Sequence, residues 1–365
     1  NVEYQFGSLA IAHNGNLVNA IELRKELEAS GSIFQSTMDT EVIIHLLAHS
    51  KEKKERNIVA RLKDMLPRLK GAYSLVFLTE TSLVAVRDPN GFRPLVLGKL
   101  GESYVVASET CAFDLIGAQL IRHLEPGEIL EIHQGDNIIT KDFIPLKQKI
   151  EPTPCVFEQI YFARPNSYIE GTYVYKIRKQ LGLVLAKEQP ANGDVVIGVP
   201  DSGMIAAHGY AAESGIPLEL GLIRSHYVGR TFIEPKQEIR HFGVKLKLSP
   251  VREVLENKKV IVVDDSIVRG TTSKKIVLML KSAGAKEVHV RISSPPTLGP
   301  CFYGIDTPKR SELIASQKTI DQIREFIGAN SLGYLSLSGL RQAVNETHYH
   351  HCDACFSNQY PIPVE

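Results

Sequence analysis

The chain has almost no net charge: 42 basic residues stand against 41 acidic ones, a formal +1 over 365 residues. That balance excludes the broad electrostatic footprint by which proteins hold nucleic acid or an anionic membrane, so any bound anion must be met by local structure. Long apolar runs are missing too. Nothing approaches the roughly 18 consecutive apolar residues that span a bilayer, and no basic and apolar leader opens the chain. The reading is a soluble protein, cytoplasmic by expectation, with an organelle left open. The chain also lacks an initiating Met. It begins Asn1-Val2-Glu3-Tyr4, and "FGSLAIAHNGNL" already has the pattern of an interior strand and turn, so the expectation is that the true N-terminus is missing. Internal repeats and low-complexity segments are absent. Cysteine is sparse: Cys111, Cys155, Cys301, Cys352 and Cys355. An odd count in a long chain without a leader argues for reduced thiols or metal ligands over disulfides.

What is present suits two globular domains, with 43% hydrophobic and 23% charged residues. From residue 1 to 147, period-2 segments such as "GAYSLVFLTETSLVAVRDPNGFRPLVLGKL", "ESYVVAS" and "GEILEIH" are joined by Asp-Pro-Asn-Gly and Gln-Gly-Asp-Asn turns, which predicts antiparallel hairpins. Helical spacing occurs in "NAIELRKELEAS", "TEVIIHLLAHSK" and "NIVARLKDMLPRL". This half reads as α+β. After "PLKQKIEPTPC" the rhythm changes to short apolar strands followed by amphipathic helices, so residues 148–365 read as α/β with a parallel sheet covered on both faces. "SELIA" offers a Ser N-cap to a helix in the tail. The last fourteen residues hold a C-x-x-C and little else that would pack.

The most informative stretch is "VIVVDDSIVRGTTS", residues 260–273. An apolar strand ends in Asp264 and Asp265, at the carboxyl edge where open parallel sheets bind ligands. Gly270, Thr271, Thr272 and Ser273 then open a helix whose N–H and hydroxyl groups can surround an anion. Carboxylates beside such a cradle repel a phosphate unless they serve a divalent cation or accept from ribose hydroxyls, and both suit a sugar phosphate carrying Mg²⁺. The plainer alternative is an acid pair capping the helix.

This stretch resembles the phosphoribosyl pyrophosphate signature of the type I phosphoribosyltransferases. The resemblance implies ribose and metal contacts for Asp264 and Asp265, with Ser266, Arg269, Gly270, Thr271, Thr272 and Ser273 around the 5′-phosphate. "VIGVPDSGMIAAHGYA", "GLIRSHYVGRTFIEP" and "GVKLKLSP" are similar to the amidophosphoribosyltransferase family, and that likeness covers nearly the whole chain. It implies that Asp201, Ser202 and Gly203 receive pyrophosphate, with the Ser202 hydroxyl completing the metal site. By themselves these residues signal only a turn. The segment 224–247 carries Arg224, His226, Arg230, Lys236, Arg240, Lys245 and Lys247, with Gly229 and Gly243 as hinges, and reads as a basic lid. The resemblance closes it over the pyrophosphate, with Arg230, Lys245 and Lys247 acting on the leaving group. A solvated charge run is the plainer alternative.

In the first half, "AHNGNLVN" places Asn14 and Gly15 in a tight turn at the end of an apolar strand, first of all a hairpin signal. The resemblance implies an oxyanion hole, Asn14 donating from its side chain and Gly15 from its backbone. It makes Asp39, in "STMDTEVI", the contact of the glutamine α-amino group, where a helix N-cap is the local reading. The family's nucleophile is an N-terminal Cys, and an Arg that grips the glutamine carboxylate lies upstream of the first matched motif. With Asn1 first, glutamine hydrolysis is expected to fail while ammonia-dependent transfer survives. The fold class implied is an Ntn-hydrolase-like α+β glutaminase domain, truncated at its start, followed by an α/β type I phosphoribosyltransferase domain.

Cys352 and Cys355 form "CDAC", and Cys155 and Cys301 complete a possible set of four. Zinc, a redox pair and coincidence stay open from spacing alone, since four thiolates suit zinc or [4Fe–4S]. The resemblance to the iron–sulfur subgroup implies [4Fe–4S] on these four, with Cys111 a free buried thiol; His350 and His351 raise a minor possibility of a mixed zinc site. The activity implied opens purine biosynthesis: ammonia from glutamine and phosphoribosyl pyrophosphate give 5-phosphoribosylamine, pyrophosphate and glutamate. Purine nucleotide inhibitors and a homo-oligomer, dimer or tetramer, are expected by family. The rivals are a base-salvage phosphoribosyltransferase, which leaves residues 1–147 unexplained, and a regulatory phosphoribosyl pyrophosphate-binding protein, against which the basic lid argues.

Overall fold

The computed structural model describes residues 2–4, 7–52, 57–133, 135, 139–225, 248–345 and 349–364. The first half is built on a six-stranded antiparallel sheet in the order β1-β2-β3-β4-β8-β9. Its strands are β1 (Val2–Tyr4), β2 (Gly7–Leu17), β3 (Gly71–Leu78), β4 (Ser82–Arg87), β8 (Glu128–His133) and β9 (Ile139–Phe143). A three-stranded sheet of β5 (Val96–Leu100), β6 (Ser103–Ala107) and β7 (Gln119–His123) packs beside it. Alternation along the strands explains the layering. Leu75, Phe77, Val84 and Val86 face α1 (Ala20–Ala29), α2 (Asp39–Ala48) and α3 (Ile58–Met65), through Leu23, Ile43, Leu46 and Leu62. Ala85 and Leu130 face the other way, onto Leu95 and Leu97 of the smaller sheet.

The second half carries the expected parallel sheet, β12-β15-β16-β17. These strands are β12 (Val195–Gly198), β15 (Lys259–Asp264), β16 (Glu287–Ile292) and β17 (Ser331–Tyr334); β10 (Tyr168–Ile169) pairs with β11 (Thr172–Tyr173), and β13 (Leu222–Arg224) with β14 (Leu248–Pro250), as separate two-stranded ribbons. Successive residues of β15 serve opposite cores. Val260 and Val262 meet Ile276 and Leu280 of the helix Thr271–Ser282. Ile261 and Val263 meet Leu181 and Leu185 of the helix Val174–Glu188, and Ala206 and Tyr210 of the helix Met204–Ser214. A strand buried on both faces must be apolar throughout, which is why "KVIVVD" shows no alternation.

The two halves meet through buried charge. Arg87 Nη2 lies 2.5 Å from Glu170 Oε1, and Arg93 Nη1 lies 2.9 Å from Glu158 Oε1. Glu109 of the first half accepts from the Arg164 backbone and from the Ser167 hydroxyl.

Three local expectations are corrected. Asn14 and Gly15 do not form a turn: they lie inside β2, opposite Ser74 and Tyr73 of β3. Gly15 has φ +151°, and a Cβ there would stand 2.0 Å from the Ala72 carbonyl oxygen, so the glycine serves close strand approach. Ser311 caps no helix; the tail's side-chain caps are Thr319, in a capping box with Gln322, and Ser336. The last residues do pack, with Ala354 and Phe356 buried and the Tyr360 hydroxyl donating to the Pro300 carbonyl at 2.8 Å.

Candidate active site

Asp264 ends β15 and Asp265 follows it, the latter only 6% exposed. Asp264 Oδ1 accepts from the Ser202 hydroxyl at 3.3 Å and from the Asp265 amide at 2.9 Å, while the Ser266 hydroxyl donates to Asp265 Oδ2. Burial, and then the charge of Asp265, pushes the Asp264 carboxyl well above the usual range; burial likewise raises Asp265. Two neighbouring carboxylates short of water are a site that a cation relieves.

The Asp201–Gly203 turn reaches this pair because Gly203 lets it. A Cβ on Gly203 would stand 2.2 Å from the Val263 carbonyl oxygen, so the turn lies directly on the end of β15. Asp201 is engaged by Arg224, the first residue of the basic segment. The peptide bond between Pro200 and Asp201 is cis. Beyond the acids, Gly270 takes φ +74° and turns the chain into the helix Thr271–Ser282. Among the described residues no side chain caps that helix, so the first-turn amides of Thr271, Thr272 and Ser273 meet no described cap, and the first two of these residues are exposed. Arg269 turns to Glu312, 2.9 Å from Nη2, rather than over the cradle. Arg230, Lys245 and Lys247, with His226, Gly229, Lys236, Arg240 and Gly243, lie outside the described residues.

In the first half, Asp39 is the first residue of α2 rather than its cap. Its Oδ2 accepts from the Leu17 amide at 3.0 Å and its Oδ1 lies 3.4 Å from His13 Nδ1. Burial raises Asp39, but the His13 hydrogen bond and charge and the Leu17 amide outweigh it, so the carboxyl sits below its ordinary value. Asn14 Nδ2 reaches Ser108 Oγ at 3.5 Å. The structure therefore brings Asp39 and the Asn14-Gly15 strand together through His13.

Cys155, Cys301, Cys352 and Cys355 line one apolar cavity, closed by Phe92, Tyr303 and Tyr360. Cys155 and Cys352 face each other as a parallel bridge, with Val156 N donating to the Cys352 carbonyl at 3.1 Å. Burial, then the charge of the neighbouring cysteines, holds Cys155 and Cys355 well above the usual thiol range; burial pushes Cys352 to about 12. Among the described residues no three His, Cys, Asp or Glu side chains form a group for a single metal ion. Cys111 is apart from the cavity, beside Glu109, and His350 is exposed.

Two residues escaped the sequence reading. His13 alternates with Asn14, and its i+2 relation to Gly15 was the available signal. Arg178 is 4% exposed inside the apolar stripe of its helix, where its Nη2 donates to the Ala163 carbonyl at 2.7 Å and its charge acts on Asp265. A basic residue one position from Ile177 and three from Leu181 is the mark that distinguishes it.

An antiparallel half holding an Asn-Gly strand against an acid is joined to a parallel half ending in an acid pair and a glycine-led helix start, the layout of an amidotransferase-type domain followed by a phosphoribosyltransferase-type domain. A glutamine amidotransferase domain model matches residues 2–114, and a phosphoribosyl transferase domain model matches residues 176–293. The amidophosphoribosyltransferase of Bacillus subtilis is 51% identical over 362 residues, 98% of this chain and 75% of that protein. The solved B. subtilis glutamine phosphoribosylpyrophosphate amidotransferase complexed with ADP and GMP superposes with a TM-score of 0.90 at 50% identity, covering 99% of this chain and 79% of that one. The chain belongs to the amidophosphoribosyltransferase family. It is also 56% identical over 364 residues to amidophosphoribosyltransferase 1, chloroplastic, of Arabidopsis thaliana, but spans 63% of that relative's length.

Proposed function

We propose that the protein transfers ammonia to phosphoribosyl pyrophosphate, giving 5-phosphoribosylamine and pyrophosphate, and that the ammonia comes from hydrolysis of glutamine to glutamate only where the family's Cys nucleophile is supplied. The observation that carries this is the acid pair at the end of β15, bonded to Ser202 on one side and followed by the uncapped helix start at Gly270 on the other. Asp264 and Asp265 accept from the ribose hydroxyls, and the amides and hydroxyls of Thr271, Thr272 and Ser273 receive the 5′-phosphate. The turn Asp201–Gly203 takes the pyrophosphate. Asp264, Asp265 and the Ser202 hydroxyl would hold a Mg²⁺ ion, which would supply electrostatic stabilisation of the leaving group. The nitrogen of ammonia bonds to ribose C1 as the C1–O bond to pyrophosphate breaks, and the ammonia proton passes to solvent. In the first half, Asn14 and Gly15 would donate to the oxyanion formed when the family's N-terminal Cys thiolate, which is not among these residues, attacks the glutamine side-chain carbonyl; ammonia then leaves, water releases glutamate, and Asp39 takes the α-amino group. The unit boundary is placed near residue 147.

Cys155, Cys301, Cys352 and Cys355 fit a [4Fe–4S] cluster. These four thiols line one cavity, where ligation would relieve the burial that disfavours their thiolates. The ADP and GMP of the B. subtilis complex support purine nucleotides as inhibitors here, and a homo-oligomer is the family's expected assembly. No described helix is long and apolar enough to cross a membrane, and the cytoplasm is the proposed location, with chloroplastic forms among the relatives.

Pyrophosphate release from phosphoribosyl pyrophosphate with Mg²⁺ and ammonia tests the transfer half, and its absence refutes it. Replacing ammonia by glutamine tests the glutaminase half separately. Absorbance near 400 nm with about four irons per chain tests the cluster; a colourless zinc protein excludes it.

A further inference from the structure

We propose that the Cys301–Gly304 loop is a positioning element for the oxyanion strand, with Phe302 and Gly304 fixing where Gly15 sits. This rests on the reading of Asn14 and Gly15 as oxyanion donors. Asn16 Nδ2 donates to the Phe302 carbonyl at 2.9 Å, a bond between residues 286 positions apart. Gly304, at φ +96°, lies so near that a Cβ on it would stand 2.8 Å from Gly15 Cα and 2.9 Å from the Gly15 carbonyl carbon. Gly15 is also close to the Ala72 carbonyl of β3, which a Cβ on it would meet at 2.0 Å. The donor backbone therefore lies against both a strand of its own half and a loop of the other.

The loop is itself held firmly. The Cys301 amide donates to Thr307 Oγ1 at 2.6 Å, and the Tyr303 amide donates to Cys301 Sγ at 3.3 Å. The Tyr303 ring stacks on Phe92 at 4.4 Å and its hydroxyl donates to the Ile362 carbonyl at 2.6 Å. One short loop thus joins a thiol of the cysteine cavity to the backbone that touches Gly15. An oxyanion donor works only when aimed to within a fraction of an ångström, so Phe302 and Gly304 act on glutamine chemistry through Gly15 without touching substrate. The state of Cys301 is then transmitted to the oxyanion strand.

Amide hydrogen exchange on the intact chain tests this. Gly304→Ala, and Asn16→Asp, which puts an acceptor against the Phe302 carbonyl, are each expected to speed exchange across residues 10–17 about tenfold. Asn16→Gln, which keeps a donor, should recover at least half of the lost protection. Exchange in β15 serves as the control and should not change. Unaltered exchange across 10–17 in both variants overturns the proposal, and so does an equal rise in β15, which signals general loosening. Removing iron from the loaded protein should speed exchange across 10–17 as Gly304→Ala does; no change on removal overturns the link to Cys301. A protein that takes up no iron refutes the cluster reading alone, because the two substitutions still decide the positioning role.

Discussion

Arg87 and Glu170 meet at 2.5 Å with their side chains 1% and 5% exposed, although they lie in different halves of the chain. Arg87 also donates to the carbonyls of Gly91, Arg93 and Leu124, so its charge is fully committed. Glu170 holds a left-handed conformation, φ 50°, between the short strands β10 (Tyr168–Ile169) and β11 (Thr172–Tyr173). A residue that costs backbone energy at that position is kept there by its partner.

Removing that partner leaves a buried cation. Glu170→Ala is expected to destabilise the chain by about 3 kcal/mol, read as a shift in the denaturant midpoint. A change below about 0.5 kcal/mol would show that the junction does not depend on the pair.

Asp88 gives a pH dependence. It is fully buried, accepts from the Tyr73 and Phe92 amides, and burial raises its carboxyl to about 6. Below about pH 4 the group is protonated in the folded and unfolded chain alike. Between there and about 6 only the folded chain keeps the proton, so stability falls as pH rises through this window, by about 3 kcal/mol. Asp88→Asn does not titrate, and the stability difference between wild type and variant should change by nearly that amount between about pH 3 and pH 7.

Ser202→Ala removes the hydroxyl that bonds Asp264 while leaving the turn in place. The expected result is about a tenfold rise in KM for phosphoribosyl pyrophosphate in the ammonia-dependent reaction, with the fold unaltered. An unchanged KM removes Ser202 from the site.

Gly270→Ala forces a side chain into φ +74° and toward Ile314 Cδ1, which a Cβ would meet at 2.8 Å. A loss of about 1 to 2 kcal/mol is expected, together with weaker phosphate binding by titration calorimetry. Wild-type stability and binding together would show that the helix start does not need its left-handed entry.

Cys352→Ser should abolish absorbance near 400 nm and expose the tail to protease after Phe356, since the Cys352 backbone bridges the tail to the segment around Cys155. Retained colour with full iron content would remove Cys352 from the ligand set.

Much of the second half was legible because burial on both faces leaves a local trace: apolar runs ending in Asp264-Asp265 and in Pro200-Asp201-Ser202-Gly203. The first half was legible as strands and helices, but Asn14-Gly15 carries a local turn signal that tertiary pairing overrides. Only the position of the Ala72 carbonyl, 57 residues on, explains why a glycine stands inside that strand. The same limit hid Arg87 with Glu170 and Arg93 with Glu158, whose partners are far apart in sequence. Phe356 and Tyr360 looked idle for lack of nearby apolar neighbours, yet Phe356 finds them in the core with Val156, Ile160 and Leu340, and Tyr360 around Cys301, Phe302 and Tyr303.

The charges buried where the two halves meet have a consequence for ionic strength. Dissolved ions screen pairs they can approach, and Arg87 with Glu170 is shut away from them. The spatial relation of the two halves is therefore expected to depend little on salt, whereas surface pairs such as Arg68 with Glu26 are expected to weaken as salt rises.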